Sequence, residues 1–529
     1  MRNGAGAPPL VGGLISSAWT TGGWLPRGHF TPPVPTDYLG VLPSKANCTE
    51  HFIPQPLDHF SFDRADRHFD QRYFVCAQES SGWVANGPVF FYVGNEANVE
   101  LYVNATGLMW ENAASFNALI VFAEHRYYGA SLPIPADATH AHLTHEQALA
   151  DYAALIYALR TGSERLPASA ASSAFVAFGG SYGGSMAAWL RMKYPAAVAG
   201  AIAASAPLLA FRGQAAPTWD SESYYRVVSK TALFYSASCA SSVRAIFPAI
   251  DAAGTTASGR AMLHREFRLC ETPSAATVSM LRYFVRDGFD SLAMGNYPWP
   301  STYIAGTAAA PMPAYPFGVA CAKLDAAPRP NRSSGTASGA AAFAAMREAL
   351  AVLYNVSGKA KCYALPAYPT PEVPAAPIDG LWDWQWCTEE LPDSFWFSTD
   401  GVRDIFWPNK FNATLIATHC REFWNVAPRS KWIAAEYGGR SLGAGHSNIV
   451  FSSGSFDGWS SGGVATNLSS SMTAILIEEG AHHLDLMFSH KDDPPSVIAA
   501  RKFELEQVKK WIEQHAKEPV AMSWGDSPS

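Results

Sequence analysis

Short runs of β-branched and aromatic residues alternate along this chain with stretches where Ala and Leu recur at helical spacing. Pro88 to Val93 is the first strong run and ends at Gly94. Leu119 to Phe122 is the second and ends in Glu124-His125-Arg126. From Thr144 to Arg160 the apolar positions predict a helix, with His145 and Glu146 near its start. Ala174 to Phe178 reads as a third strand and leads at once into Gly179-Gly180-Ser181-Tyr182-Gly183-Gly184. Ser185 to Lys193 then reads as a helix stopping before Pro195, and Ala199 to Ala203 as a fourth strand. Strand–helix alternation of this kind predicts a parallel sheet covered on both faces.

The alternation stops near Pro207. From there to about Trp432 the chain changes character, and Arg332 to Ala341 and Ala364 to Pro377 read as loops rich in Gly, Ser, Pro and Ala. Strands then return at Asn448–Phe451 and Thr473–Ile477, and an amphipathic helix at Pro495–Lys517. The expectation is one α/β domain, residues 46–206 and 432–517, interrupted by an inserted domain, 207–431. Residues 1–45 are rich in Gly and Pro, show no period and read as a targeting or flexible segment.

Composition narrows the class. The chain has 529 residues, 48% apolar and 16% charged, enough for a large core. The net charge of −7, with no basic run, argues against nucleic acid as a partner. The best apolar run, Ala196 to Phe211, contains Ser205 and Pro207, so no membrane span is expected. Arg2 followed by Pro8 to Leu14 is a feeble version of a signal peptide. The eight cysteines, Cys48, Cys76, Cys239, Cys270, Cys321, Cys362, Cys387 and Cys420, form no CxxC pair, so zinc is poorly supported and neither metal nor cofactor is expected. Six sequons, at Asn47, Asn104, Asn331, Asn355, Asn412 and Asn467, together with an even cysteine count, fit a secreted or lysosomal glycoprotein.

Gly179-x-Ser181-x-Gly183 is the nucleophile-elbow pattern in its required setting, with a strand before it and a helix after it. Glycines flank the serine because side chains there would collide in so tight a turn. The elbow order is Ser, acid, His. Asp457 follows the 448–451 strand and His482 the 473–477 strand, so both sit where that order requires. A hydroxyl needs a base to take its proton, and a carboxylate to fix the base's tautomer. His483 competes as base, but His482 comes first after the strand and follows the small Gly480-Ala481. The oxyanion hole is expected from the backbone N–H of Tyr182 and from the backbone around Gly94 or Asn95. Glu96, Trp459 and the Tyr182 side chain are candidates for the substrate side. Glu96 and Glu124 read equally as loop carboxylates or structural ion pairs.

Tyr92-Val93-Gly94-Asn95-Glu96, Phe122 to Ser131, Leu143 to Asp151, Gly179 to Gly184, Arg191 to Pro195, Cys387-Thr388-Glu389 and Gly480 to Leu486 together resemble the lysosomal Pro-X carboxypeptidase and dipeptidyl peptidase II family of serine peptidases. The resemblance covers roughly residues 50–515, and Asn448 to Phe451 and Thr399 to Val402 resemble the carboxypeptidase branch more. It implies an α/β-hydrolase fold with a helical, disulfide-linked cap at 207–431, and the triad Ser181, Asp457 and His482. It implies the pairs Cys239–Cys321, Cys270–Cys362 and Cys387–Cys420, which leaves Cys48 and Cys76 to pair with each other.

The activity implied is cleavage of peptides next to a proline near a terminus, with the dipeptidyl aminopeptidase as the alternative. A carboxylesterase or a non-catalytic hydrolase-like binding protein is the reading outside the family. A homodimer is compatible with all of these. The chain departs from the family pattern at Gly458, where Pro is usual, at Met487, where a basic residue is usual, and at Ala97 and Ser185. These departures bear on substrate preference, since none removes a triad member.

Overall fold

The computed structural model describes residues 43–517 apart from 63–66, 77–81, 134–138, 165, 212–219, 221, 305–309, 328–336, 366–380, 390–397, 399 and 409–412. One sheet of eight strands runs through it in the order β1-β2-β4-β3-β5-β6-β7-β8. The strands are β1 Cys48–Pro56, β2 His68–Cys76, β3 Val89–Tyr92, β4 Leu119–Ala123, β5 Phe175–Gly180, β6 Gly200–Ala204, β7 Ile449–Gly454 and β8 Met472–Ile477. The strands from β4 and β3 onward are parallel, whereas β1 pairs with β2 and β2 with β4 antiparallel.

The six parallel strands coincide with the six apolar runs read from the sequence. The antiparallel pair is the correction to an all-parallel expectation. β1 is a polar edge strand that buries only alternate positions in its second half, so it offers no continuous apolar run to read.

Helices cover both faces. Helices α1 (Glu100–Val103), α2 (Gly107–Phe116), α3 (His145–Thr161) and α4 (Tyr182–Lys193) are set among the first strands. Side chains of α3 and α4, among them Leu149, Tyr152, Trp189 and Leu190, pack on one face with Val89, Phe91 and Val121. Leu108 and Met109 of α2 and Val508 and Trp511 of the C-terminal helix pack on the other, with Phe90, Ile120 and Phe178. Strand order, crossovers and the tight β5–α4 turn make this an α/β-hydrolase fold.

Between β6 and β7 lie α5 (Ser223–Tyr235), α6 (Ala237–Gly254), α7 (Ala257–Phe267), α8 (Met280–Met294), α9 (Pro316–Ala326), α10 (Ala337–Tyr354), α11 (Leu381–Thr388), α12 (Ala413–Trp424) and α13 (Trp432–Tyr437); α14 (Pro495–His515) closes the chain. Part of the Arg332–Ala341 stretch read as loop belongs to α10, where Ala is the strongest helix former. The region also has a core of its own. Val243, Phe247, Leu281, Phe289, Phe317 and Leu350 are buried together, and the same cluster reaches Ala481 and Leu484 in the loop after β8.

Disulfides join α6 to α9 through Cys239–Cys321 and α11 to α12 through Cys387–Cys420. Cys270 pairs with Cys362, and Cys48 with Cys76 across β1 and β2. Of the sequons, Asn47 and Asn467 are exposed and Asn104 and Asn355 partly so, while Asn331 and Asn412 lie outside the described residues. No helix among the described residues is long and apolar enough to cross a membrane.

Candidate active site

β5 ends at Gly180 and α4 starts at Tyr182, leaving Ser181 alone to make the turn. Its backbone sits at φ 62°, ψ −130°, a region a side-chain-bearing residue enters only when its surroundings force it. The surroundings are close-packed. A Cβ on Gly179 would lie 2.0 Å from the Gly183 carbonyl oxygen, and one on Gly183 would lie 2.0 Å from Asn95 Oδ1. The glycines of the pattern are therefore required by backbone approach. Ser181 N–H donates to the Ala204 carbonyl (2.9 Å), which ties the turn to the end of β6.

Asp457 and His482 come together from the two loops after β7 and β8. His482 Nδ1 donates to Asp457 Oδ2 at 2.8 Å, and Asp457 Oδ1 accepts from the Trp459 N–H at 3.1 Å. Both side chains are buried, Asp457 fully. His483 does not share this arrangement. Its ring lies against Gly180 and edge-on to Tyr303, and its N–H donates to Ser205 Oγ (2.8 Å). Burial, then the neighbouring His482, holds its imidazole well below the ordinary range, so it stays neutral.

The loop after β3 meets the elbow as the sequence pattern anticipates. Asn95 Nδ2 donates to the Gly180 carbonyl at 2.6 Å, and Tyr92 Oη donates to Asn95 Oδ1 at 3.1 Å. A Cβ on Gly94 would lie 2.4 Å from the Ala123 carbonyl oxygen, so only glycine lets β3 leave the sheet here. The N–H of Tyr182 opens α4 and has no partner within the helix. The Tyr182 ring is engaged elsewhere. His125 Nδ1 donates to the Arg126 carbonyl (2.7 Å), so its Nε2 accepts from Tyr182 Oη (3.0 Å), which in turn accepts from Gln385 Nε2 (3.1 Å). Burial drives His125 down to about 4, which fixes this neutral tautomer.

Glu96 lies close enough to His482 to feel its charge. Burial pushes its carboxyl up to about 7, against the pull of its own backbone N–H and of His482, and its Oε2 has no hydrogen-bond partner among the described residues. Glu124, in contrast, is structural: it accepts from Arg72, Val99, Ala130 and Ser131. Trp459 is half-buried, with its ring edge-on to Tyr224 at 5.5 Å.

Among the described residues, His145, Glu146 and Glu389 come close enough to hold a metal ion. Their charges are already matched. Arg429 pairs with Glu389 and Glu146, and His145 lies between Glu389 (2.5 Å) and Glu436 (3.0 Å). The cluster is a buried ion-pair network joining α3 to the segments around α11 and α13.

The residues that sequence reasoning missed come from the helices between β6 and β7. Met294 and Tyr297 bond the backbone of His482, and Tyr224 and Asp290 lie behind Asp457 and Trp459. No local motif marks them.

Comparison with known proteins bears on this arrangement. The family model described as serine carboxypeptidase S28 matches residues 55–504. The lysosomal Pro-X carboxypeptidase of Pongo abelii is 36% identical over 506 residues, 93% of this chain and 95% of its own. That of Homo sapiens is 36% identical over 489 residues, 90% and 91% of the two chains. Prolyl carboxy peptidase like protein 5 of Caenorhabditis elegans is 31% identical over 491 residues, 89% and 92%.

Proposed function

The chain belongs to the serine carboxypeptidase S28 family of serine peptidases, and on that premise we propose that it is a Pro-Xaa carboxypeptidase with Ser181, Asp457 and His482 as its triad. One observation carries the reading: a serine held at positive φ at a strand–helix junction, in a fold whose loops after β7 and β8 present a carboxylate-oriented histidine. Ser181 Oγ attacks the carbonyl of proline, His482 Nε2 takes its proton and returns it to the leaving amine of the last residue, and water, activated by the same histidine, then hydrolyses the acyl-enzyme. Asp457 holds the tautomer and stabilises the imidazolium that forms. The Tyr182 N–H and a backbone donor at Gly94 or Asn95 receive the developing oxyanion. Tyr182 contributes its main chain, since its ring is committed to His125 and Gln385.

Trp459 supplies an apolar wall for the proline ring, and Glu96 meets the charged end of the peptide. The helical region between β6 and β7, residues 207–431, acts as the cap over the C-terminal edge of the sheet. The relatives' lysosomal location, the disulfides and the sequons support a lysosomal or secreted protein.

The test is one peptide with proline at both its second and its penultimate positions, with products read by mass spectrometry. Loss of the C-terminal residue alone is expected. Release of an N-terminal Xaa-Pro dipeptide would assign the chain to aminodipeptidase activity instead. Ser181→Ala should leave a folded protein whose turnover is lower by roughly three or more orders of magnitude, because the triad acts as a unit.

A further inference from the structure

We propose that Tyr297 and Tyr224, both supplied by the region between β6 and β7, are positioning residues for the triad, with the C-terminal end of α8 as their common strut. The inference rests on the triad reading and extends it to residues outside the two catalytic loops.

The base is held first by its backbone. His482 N–H donates to the carbonyl of Met294, the last residue of α8, at 3.1 Å. Tyr297 Oη donates to the His482 carbonyl, also at 3.1 Å, from a fully buried ring. The loop after β8 thus hands both backbone groups of its histidine to the helical region. With Nδ1 bonded to Asp457, three points fix the imidazole, and two of them belong to the end of α8.

The acid is held through its turn. Asp457 Oδ1 accepts from the Trp459 N–H, and the residue between them is Gly458. A Cβ on Gly458 would lie 2.5 to 2.8 Å from three atoms of the Tyr224 ring. That ring cannot swing away cheaply, because its hydroxyl donates to Asp290 Oδ1 at 2.6 Å and the indole of Trp459 packs edge-on against it. Asp290 lies on α8 one turn before Met294, on the same side of the helix, and Tyr297 follows three residues after the helix ends. One helix face therefore braces both loops, through Tyr224 on the acid side and directly on the base side. A displacement of about 1 Å at a triad member is enough to lose one to two orders of magnitude in rate, so such bracing matters to turnover.

The test compares Tyr297→Phe, Gly458→Ala, Tyr224→Leu and the Gly458→Ala/Tyr224→Leu pair. Turnover of a prolyl amide is normalised to active sites counted by fluorophosphonate labelling, so unfolded protein does not enter. Tyr297→Phe should lower kcat about tenfold with KM changed less than twofold, and slow the labelling rate in parallel. Gly458→Ala and Tyr224→Leu should each lower kcat similarly, and the pair should lose little more than either alone, because both remove the same brace. Tyr297→Phe with kcat within twofold of the parent, or Gly458→Ala and Tyr224→Leu effects that simply multiply, would overturn the proposal. If Gly458→Ala yields no countable sites, Tyr297→Phe alone decides. Ser181→Ala, which has no hydroxyl to label and is normalised to folded protein instead, separates the two readings: full turnover there sinks the triad, whereas an inactive Ser181→Ala beside an unaffected Tyr297→Phe sinks only the strut.

Discussion

Glu96 places a carboxyl where it feels the charge of His482, and burial pushes it up to about 7. Below that pH it is neutral and can donate a hydrogen bond to the carboxylate of a substrate's last residue; above it, two anions would face each other. Carboxypeptidase KM should therefore rise as pH passes from 6 to 8, and Glu96→Gln should remove most of that rise. Initial rates at three or four pH values on both proteins check this, and a KM that falls with pH in the parent would point to ammonium recognition instead. The raised value was invisible in the sequence, which shows only an acidic residue after Gly94-Asn95. Desolvation depends on what covers the side chain. Residue type and order were nonetheless enough to single out Ser181, Asp457 and His482. Choosing His482 over His483 needed only the small residues before it, and the structure puts His482 beside Asp457.

Among the elements, α3 is tied to the segments around α11 and α13 by one buried network. Glu389 accepts from the His145 N–H (2.9 Å) and Nδ1 (2.5 Å) and pairs with Arg429, while Trp189 of α4 stacks on Tyr437 at 4.5 Å. Removing Glu389 leaves two buried donors of His145 without their acceptor, while Arg429 is exposed enough to be rehydrated. Glu389→Ala should therefore cost about 2 kcal/mol and lower the thermal midpoint by several degrees, read by calorimetry at fixed pH. A midpoint within a degree of the parent would show the network to be solvated. Of the helices on the sheet, α3, α4 and α14 were read from apolar positions recurring at helical spacing, and the short α1 and α2 were not. Nor were strands β1 and β2, since β1 exposes Phe52 beside Glu50 and β2 buries Gln71 and Arg72 among its apolar residues. The network was unreadable too: Glu389 and His145 are 244 residues apart.

Three buried carboxyls give the whole molecule a pH-dependent stability. Burial pushes Glu96 and Asp290 up to about 7 and Glu504 well above the carboxylate range. In the unfolded chain such groups titrate near pH 4. Between about pH 4.5 and 7 the folded state thus holds more protons on them, and their stabilisation is lost as pH rises through the folded values. Burial lowers His125 to about 4 and holds His483 well below the ordinary imidazole range, which works in the opposite sense below about pH 6.5, where the unfolded imidazoles take up protons. The two effects partly cancel at acid pH and no longer do so above about 6.5. The thermal midpoint should accordingly be lower at pH 8 than at pH 6, and Asp290→Asn should shrink the difference. A midpoint that rises over that interval would contradict the assignment of these carboxyls as protonated. The direction suits the lysosomal location proposed above.

Local physics was legible in the chain itself. Glycines where backbones must touch, apolar runs of strand length, and the order serine, acid, histidine sufficed for the fold class, the elbow and the triad candidates, because the elbow and the strands rest on neighbours within a few residues and the order on the strands that carry each residue. Only the tertiary structure decided how those loops are held. Asp290 and Met294 share one side of the end of α8 and Tyr297 follows just beyond it, but nothing within that stretch says what it faces. The Tyr224 ring beside Gly458, and the hydroxyl of Tyr297 on the carbonyl of His482, are contacts across 234 and 185 residues of chain. They exist because the core of the helical region and the loop after β8 pack as one, and no pattern confined to either segment encodes that packing.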